Sequence, residues 1–122
     1  MNKKHEFKKI RLLQTIQHTS RYSNKEGCIK IYANNSLIHE ETKLRIAYKL
    51  KKQGFYILSE VTFLNGKRAD LIAISPEGEG TIIEVLNLES EARYEEKLNS
   101  YPMEWEMIKV EIKEFDINNF EL

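Results

Sequence analysis

The sequence predicts an α/β domain in which a sheet is flanked by helices. Three observations carry this. From residue 37 the hydrophobic periodicity runs helix, strand, strand, strand, helix, strand. The dipeptide Asn65-Gly66 separates two β-branched, apolar runs, the strongest short-range signal for a hairpin. The run Thr81 to Leu86 (TIIEVL) is almost wholly apolar, as a central strand should be.

The elements follow in order. Residues 4–18 are expected to form a helix, because Phe7, Ile10, Leu13 and Ile16 recur at helical spacing. Residues 19–26 are polar and predict a loop that ends at Gly27; residues 28–32 (CIKIY) alternate and predict a short strand. Asn34, Asn35 and Ser36 mark a turn and offer a helix cap. Residues 37–53 give the clearest helix, with Leu37, Leu44, Ala47 and Tyr48 on the expected buried face. Lys51 and Lys52 occupy its last turn, and Gly54 ends it. Strands are expected at 55–64, 68–74 and 81–86, with a turn at 75–80. A helix is expected at 88–99, stopped by Pro102, and a further strand at 106–112. Trp105 is read as a packing residue, and the tail from Lys113 to Leu122 as a short packing helix or a frayed end.

The chain has 122 residues, 41% of them hydrophobic, which suits one domain with one core. The division is a basic helix and short strand over 1–35, a core over 36–112 and a tail over 113–122. A lone cysteine, Cys28, excludes an intrachain disulfide framework. The N-terminus lacks the apolar run of a secretory leader. No stretch approaches the roughly 20 apolar residues that span a bilayer, so a soluble, cytoplasmic protein without membrane association is expected. No glycine-rich phosphate cradle, paired-cysteine motif or zinc-helix motif is present, so no nucleotide cofactor is expected.

The formal net charge is zero, but it is segregated. Residues 1–30 carry +6, residues 31–75 carry +3 and residues 76–122 carry −9. The basic front is a candidate phosphate-contacting surface through Lys4, Lys8, Lys9 and Arg11; the plainer reading is that front and tail attract each other within the fold.

Three acids stand where acids are costly. Glu84 sits inside an apolar strand, Asp70 just inside the strand after the hairpin, and Glu40 on a helix face directed towards the core, with Glu41 as the alternative. A carboxylate among apolar neighbours needs a partner or a metal ion. Two or three such carboxylates suit Mg²⁺ or Mn²⁺, which polarises a phosphodiester and acidifies bound water. The competing reading is that Asp70 caps a turn and Glu84 pairs with a lysine. Glu60 on the first hairpin strand and His39 beside Glu40 are further candidate ligands.

On these residues, LIHEETKLRIAYKL, KRADLIAI and IIEVLNLES, the segment from about 36 to 112 resembles the PD-(D/E)XK, restriction-endonuclease-like nuclease superfamily, including archaeal Holliday-junction resolvases. The resemblance implies a central mixed sheet and a metal-dependent endonuclease acting on DNA. It implies that Asp70, Glu84 and the backbone carbonyl of Val85 hold the metal, with Glu40 or Glu41 as the outer ligand. It also implies that the following helix meets substrate, through Lys97 and Tyr101, with Arg68 adding to the nucleic-acid surface. A nuclease of this size that cuts both strands needs two sites, so a homodimer is expected.

The chain departs from that pattern at one position. Leu86 stands where the family has a lysine. Two readings follow: Lys43 or Lys67 supplies the missing cation, or the domain keeps the fold, loses the chemistry and serves as a module that binds nucleic acid or a protein partner.

Overall fold

A computed structural model describes residues 2–17, 25–86 and 101–122. Within them lie helices α1 (Lys3–Leu13) and α2 (Leu37–Lys52) and strands β1 (Tyr56–Thr62), β2 (Arg68–Ile74), β3 (Gly80–Leu86) and β4 (Glu106–Glu111). A short 3-10 turn, Ile112–Glu114, opens the tail. The helix expected at 88–99, with Tyr94 and Lys97, lies outside the described residues.

The strands form one sheet in the order β1-β2-β3-β4. β1–β2 and β2–β3 are antiparallel, and β3–β4 is parallel. The sheet is therefore mixed. Gly66, at φ +87°, makes the β1–β2 turn that the Asn65-Gly66 pair predicts.

The sheet is covered on both faces. Leu58, Ile72, Ile74 and Ile82 pack with Leu12 and Ile16, Tyr101 and Trp105 on one face. The alternating residues Ile57, Leu71, Ala73, Ile83 and Val85 pack with Ile46, Ala47 and Leu50 of α2 on the other. Trp105 is a core residue, as expected. Its ring and that of Tyr101 both meet Phe63 edge to face. α1 approaches the β2–β3 turn so closely that a Cβ on Gly80 would lie 2.7 Å from Leu12 Cδ1 and 2.8 Å from Trp105 Cε3.

Three expectations are corrected. Residues 28–32 form no strand; Lys30 donates its N–H to the side chain of Ser59 instead of pairing along β1. The helix expected over 4–18 ends at Leu13: on α1 Phe7 and Ile10 face solvent while Leu12 is buried, and Ile16, also buried, lies beyond the helix in a bridge to Phe63. On α2, Leu37, Leu44 and Tyr48 are exposed, and the inward face is His39, Glu40, Lys43, Ile46, Ala47 and Leu50. The first half of that face is polar because it meets acids of the sheet, and the second half is apolar because it meets the core.

A buried ionic cluster as candidate functional site

The sheet register sets up the site. β1 and β2 pair with Ser59 opposite Leu71 and Val61 opposite Ala69, which places Glu60 opposite Asp70. β2 and β3 pair with Leu71 opposite Ile83, and continuing that ladder places Asp70 opposite Glu84. Three carboxyl groups thus stand in one row across three adjacent strands.

The row is not flat. Glu60 adopts φ +49°, the single positive value at a non-glycine position among the described residues. On β1 the residues packed against α1 step from Leu58 to Val61, and on β2 from Ala69 to Ile72, so alternation slips at Glu60 and Asp70. The slip turns both acids towards α2. A left-handed non-glycine backbone costs about 1 kcal/mol or more, which the ionic contacts offset.

α2 supplies the cations. Ser36 caps the helix by accepting the N–H of His39, which sets the first turn against the sheet. Lys43 is fully buried, and its ammonium donates to Glu40 Oε2 at 2.7 Å, Glu60 Oε1 at 3.1 Å and the Lys30 carbonyl at 2.7 Å. An ammonium has three donors, so all are spent. His39 Nδ1 lies 2.9 Å from Glu40 Oε1, and Nε2 lies 3.5 Å from Asp70 Oδ2. The imidazole therefore bridges helix and sheet. Arg68 Nε lies 3.5 Å from Glu60 Oε2, and its half-exposed guanidinium stands 5.0 Å above the Tyr32 ring.

Electrostatics follow from these contacts. The hydrogen bond to Asp70, reinforced by Glu40, outweighs burial and raises His39 to about 9, so it is a cation at neutral pH. Burial alone would raise Glu40, but Lys43, Asn35 and His39 hold its carboxyl down at about 2. Burial raises Glu60, and Lys43 offsets this only in part. Asp70 is held below the usual carboxylate range despite burial, because His39, Glu84 and the N–H of Val85, at 2.8 Å, all stabilise its charge. Three cations, His39, Lys43 and Arg68, thus stand against the carboxyl groups of Glu40, Glu60 and Asp70.

Glu84 is 1% exposed, and its carboxylate and the Arg68 carbonyl, 2.7 Å from the Tyr101 oxygen, share the single hydroxyl proton of Tyr101. Burial and the charge of Glu84 push the Tyr101 hydroxyl far up, so it remains a donor. Tyr101 is thus a buried support for Glu84, not the substrate-facing side chain that the family resemblance implies.

The other predicted residues sort clearly. Glu40 joins the cluster, whereas Glu41 points outward and pairs with Arg45 at 2.9 Å. The N–H of Val85 donates to Asp70 at 2.8 Å, a contact distinct from the carbonyl ligand that the resemblance implies. Lys67 stays exposed in the β1–β2 turn. Lys8 pairs with Glu79 at 3.0 Å and Lys9 lies 4.3 Å over Tyr56. Tyr56 and Gly80 mark the opposite end of the sheet from the acidic row, four residues or roughly 13 Å away. Lys8 and Lys9, with Lys4 and Arg11 on the same helix, are therefore not gathered around the cluster. Lys97 lies outside the described residues. The sequence reading overlooked Tyr32 and Asn35, which donate to Glu40 at 3.2 and 2.9 Å. Only the turn-forming Asn34-Asn35-Ser36 signal hinted that this loop folds over the site.

Among the described residues no three His, Cys, Asp or Glu side chains converge as a metal-ligand set. None of the described helices is long and apolar enough to cross a membrane. No protein-family model, curated protein or solved structure matches the chain.

Proposed function

We propose that this domain is a restriction-endonuclease-like, Mg²⁺- or Mn²⁺-dependent deoxyribonuclease. One observation carries the reading: the register sets Asp70 and Glu84 opposite each other on neighbouring strands, and a helix glutamate, Glu40, is tied to Asp70 through His39. Two carboxyl groups opposed on neighbouring strands are a place where a divalent cation can offset their mutual repulsion. The oxygen donors suit Mg²⁺ or Mn²⁺.

In this reading Asp70 and Glu84 hold the ion and Glu40 stands behind them. When bound, the ion polarises the phosphodiester and lowers the pKa of its water. The chain's own residues position the rest. Val85 N–H and His39 orient Asp70, and Tyr101 orients Glu84. Lys43 fixes Glu40 and Glu60, and Arg68 offers the exposed cation nearest the acids. Leu86, 6% exposed and on the same side of β3 as Glu84, walls the pair with an apolar surface.

A second reading has its own support. Every donor of Lys43 is engaged and Leu86 carries no charge, which favours a module of the same fold that binds without cutting. The two separate in one assay. Purified protein and Leu86→Lys are incubated with labelled duplex, single-stranded and four-way-junction DNA in each metal. Cleavage by the natural protein that is lost in Glu84→Gln supports the nuclease. Cleavage by Leu86→Lys alone supports the non-cutting module.

A further inference from the structure

The segregated charge has a structural consequence. α1 packs on one face of the sheet through Leu12, while the tail packs on the other, where Phe115 and Phe120 lie against the core beneath α2. The basic front meets the acidic segment 76–122 within one molecule at Lys8 and Glu79, 3.0 Å apart, but the end of the tail lies on the other face from α1.

Each carries an amphipathic surface of opposite sign. On α1 the residues Lys3, Lys4, Phe7, Ile10, Arg11 and Gln14 fall within about 60° of one direction at 100° per residue. Phe7 is 72% exposed and Ile10 47%, and with Arg11 and Gln14 they line a depression of about 340 Å³. On the other face a groove of about 380 Å³ is lined by Phe115 and Phe120, with Glu111, Glu114, Asp116 and Glu121 at its rim. Asp116 is engaged with Asn118 and Asn119, and Glu111 with Lys109. Glu114 and Glu121, like Lys4 and Arg11, have no ion-pair partner among the described residues.

We infer that the acidic groove of one copy of this chain receives the outward face of α1 from a second copy. Apolar side chains meet the phenylalanine floor, and Lys4 and Arg11 meet Glu114 and Glu121. Because the two surfaces differ and lie on opposite faces, the contact is head-to-tail, and each copy keeps one surface free for the next. This inference does not depend on the nuclease reading.

Sedimentation equilibrium of the full chain tests it. At low salt the mean mass should rise above the 14.4 kDa monomer with concentration and keep rising past a dimer. In about 0.5 M NaCl it should fall back, because exposed pairs are screened. Lys4→Glu with Arg11→Glu should be monomeric alone, as should Glu114→Lys with Glu121→Lys. An equimolar mixture of the two should associate again, since each then carries the sign the other lacks. A monomer at every concentration at low salt overturns the inference. So does association that survives both variants, which would place the contact on another face. Retained binding of the wild-type monomer to anionic vesicles or duplex DNA, with no self-association, would assign the α1 face to those partners instead.

Discussion

Lys43 Nζ lies 2.7 Å from Glu40 Oε2, with the lysine side chain fully buried and the glutamate nearly so. A buried pair of this kind organises a fold more than it stabilises it. Its removal on one side leaves a bare charge in a low-dielectric interior.

Lys43→Met should therefore destabilise the protein by about 3–5 kcal/mol, because Glu40 and Glu60 both lose their ammonium. Adding Glu60→Gln to Lys43→Met should recover part of that loss. Urea unfolding of the two single variants and the double variant measures it. Strictly additive effects would mean that the pair is not coupled.

The pH dependence of the metal-free protein follows from His39 and Glu40. His39 rises from 6.5 to about 9 on folding, so its contribution, about 3 kcal/mol, is complete below pH 6.5 and is lost as pH climbs through about 9. Glu40 falls from 4.5 to about 2, so its contribution is present above pH 4.5 and is lost as pH drops towards 2. His39→Gln should cost most near pH 6 and little above pH 9. Unfolding free energies measured in a chelator at about pH 6 and 9.5 check this; an equal cost at both would show that the imidazole is not a cation in the fold.

Tyr101→Phe should destabilise by about 1–3 kcal/mol, since buried Glu84 and the Arg68 carbonyl lose the one phenolic proton they share. The ring packing against Phe63 is retained. A thermal melt reads the stability. If Tyr101 contacted substrate instead, the variant would melt like the wild type and lose only DNA affinity.

Gly80→Ala should cost about 1–3 kcal/mol, because the added methyl meets Leu12 and Trp105 at under 3 Å. Gly80→Ala with Leu12→Ala should cost less than the two changes summed. A chemical-denaturation series resolves it.

The parts of this fold governed by local rules were legible. The span of β2 agrees with Arg68–Ile74, the Asn65-Gly66 turn is in place, and Ser36 caps α2. The faces of α2 were not legible. Hydrophobicity directs Leu44 and Tyr48 inward, but the helix docks over Glu60 and Asp70, so its first turns must present His39, Glu40 and Lys43. The opposition of Glu60, Asp70 and Glu84 depends on strand register and on the positive φ of Glu60, neither of which has a sequence signature. Residues 28–32 show that alternation alone does not make a strand. Their ordering comes from single contacts such as Lys30 to Ser59 rather than from a ladder.

The central claim, that Asp70 and Glu84 hold a divalent cation, is tested most directly by calorimetric titration of Mn²⁺ into the full chain near neutral pH. The account predicts saturable binding that disappears in the Asp70→Asn, Glu84→Gln variant. Binding that is absent from the wild type, or unchanged in the double variant, would contradict it.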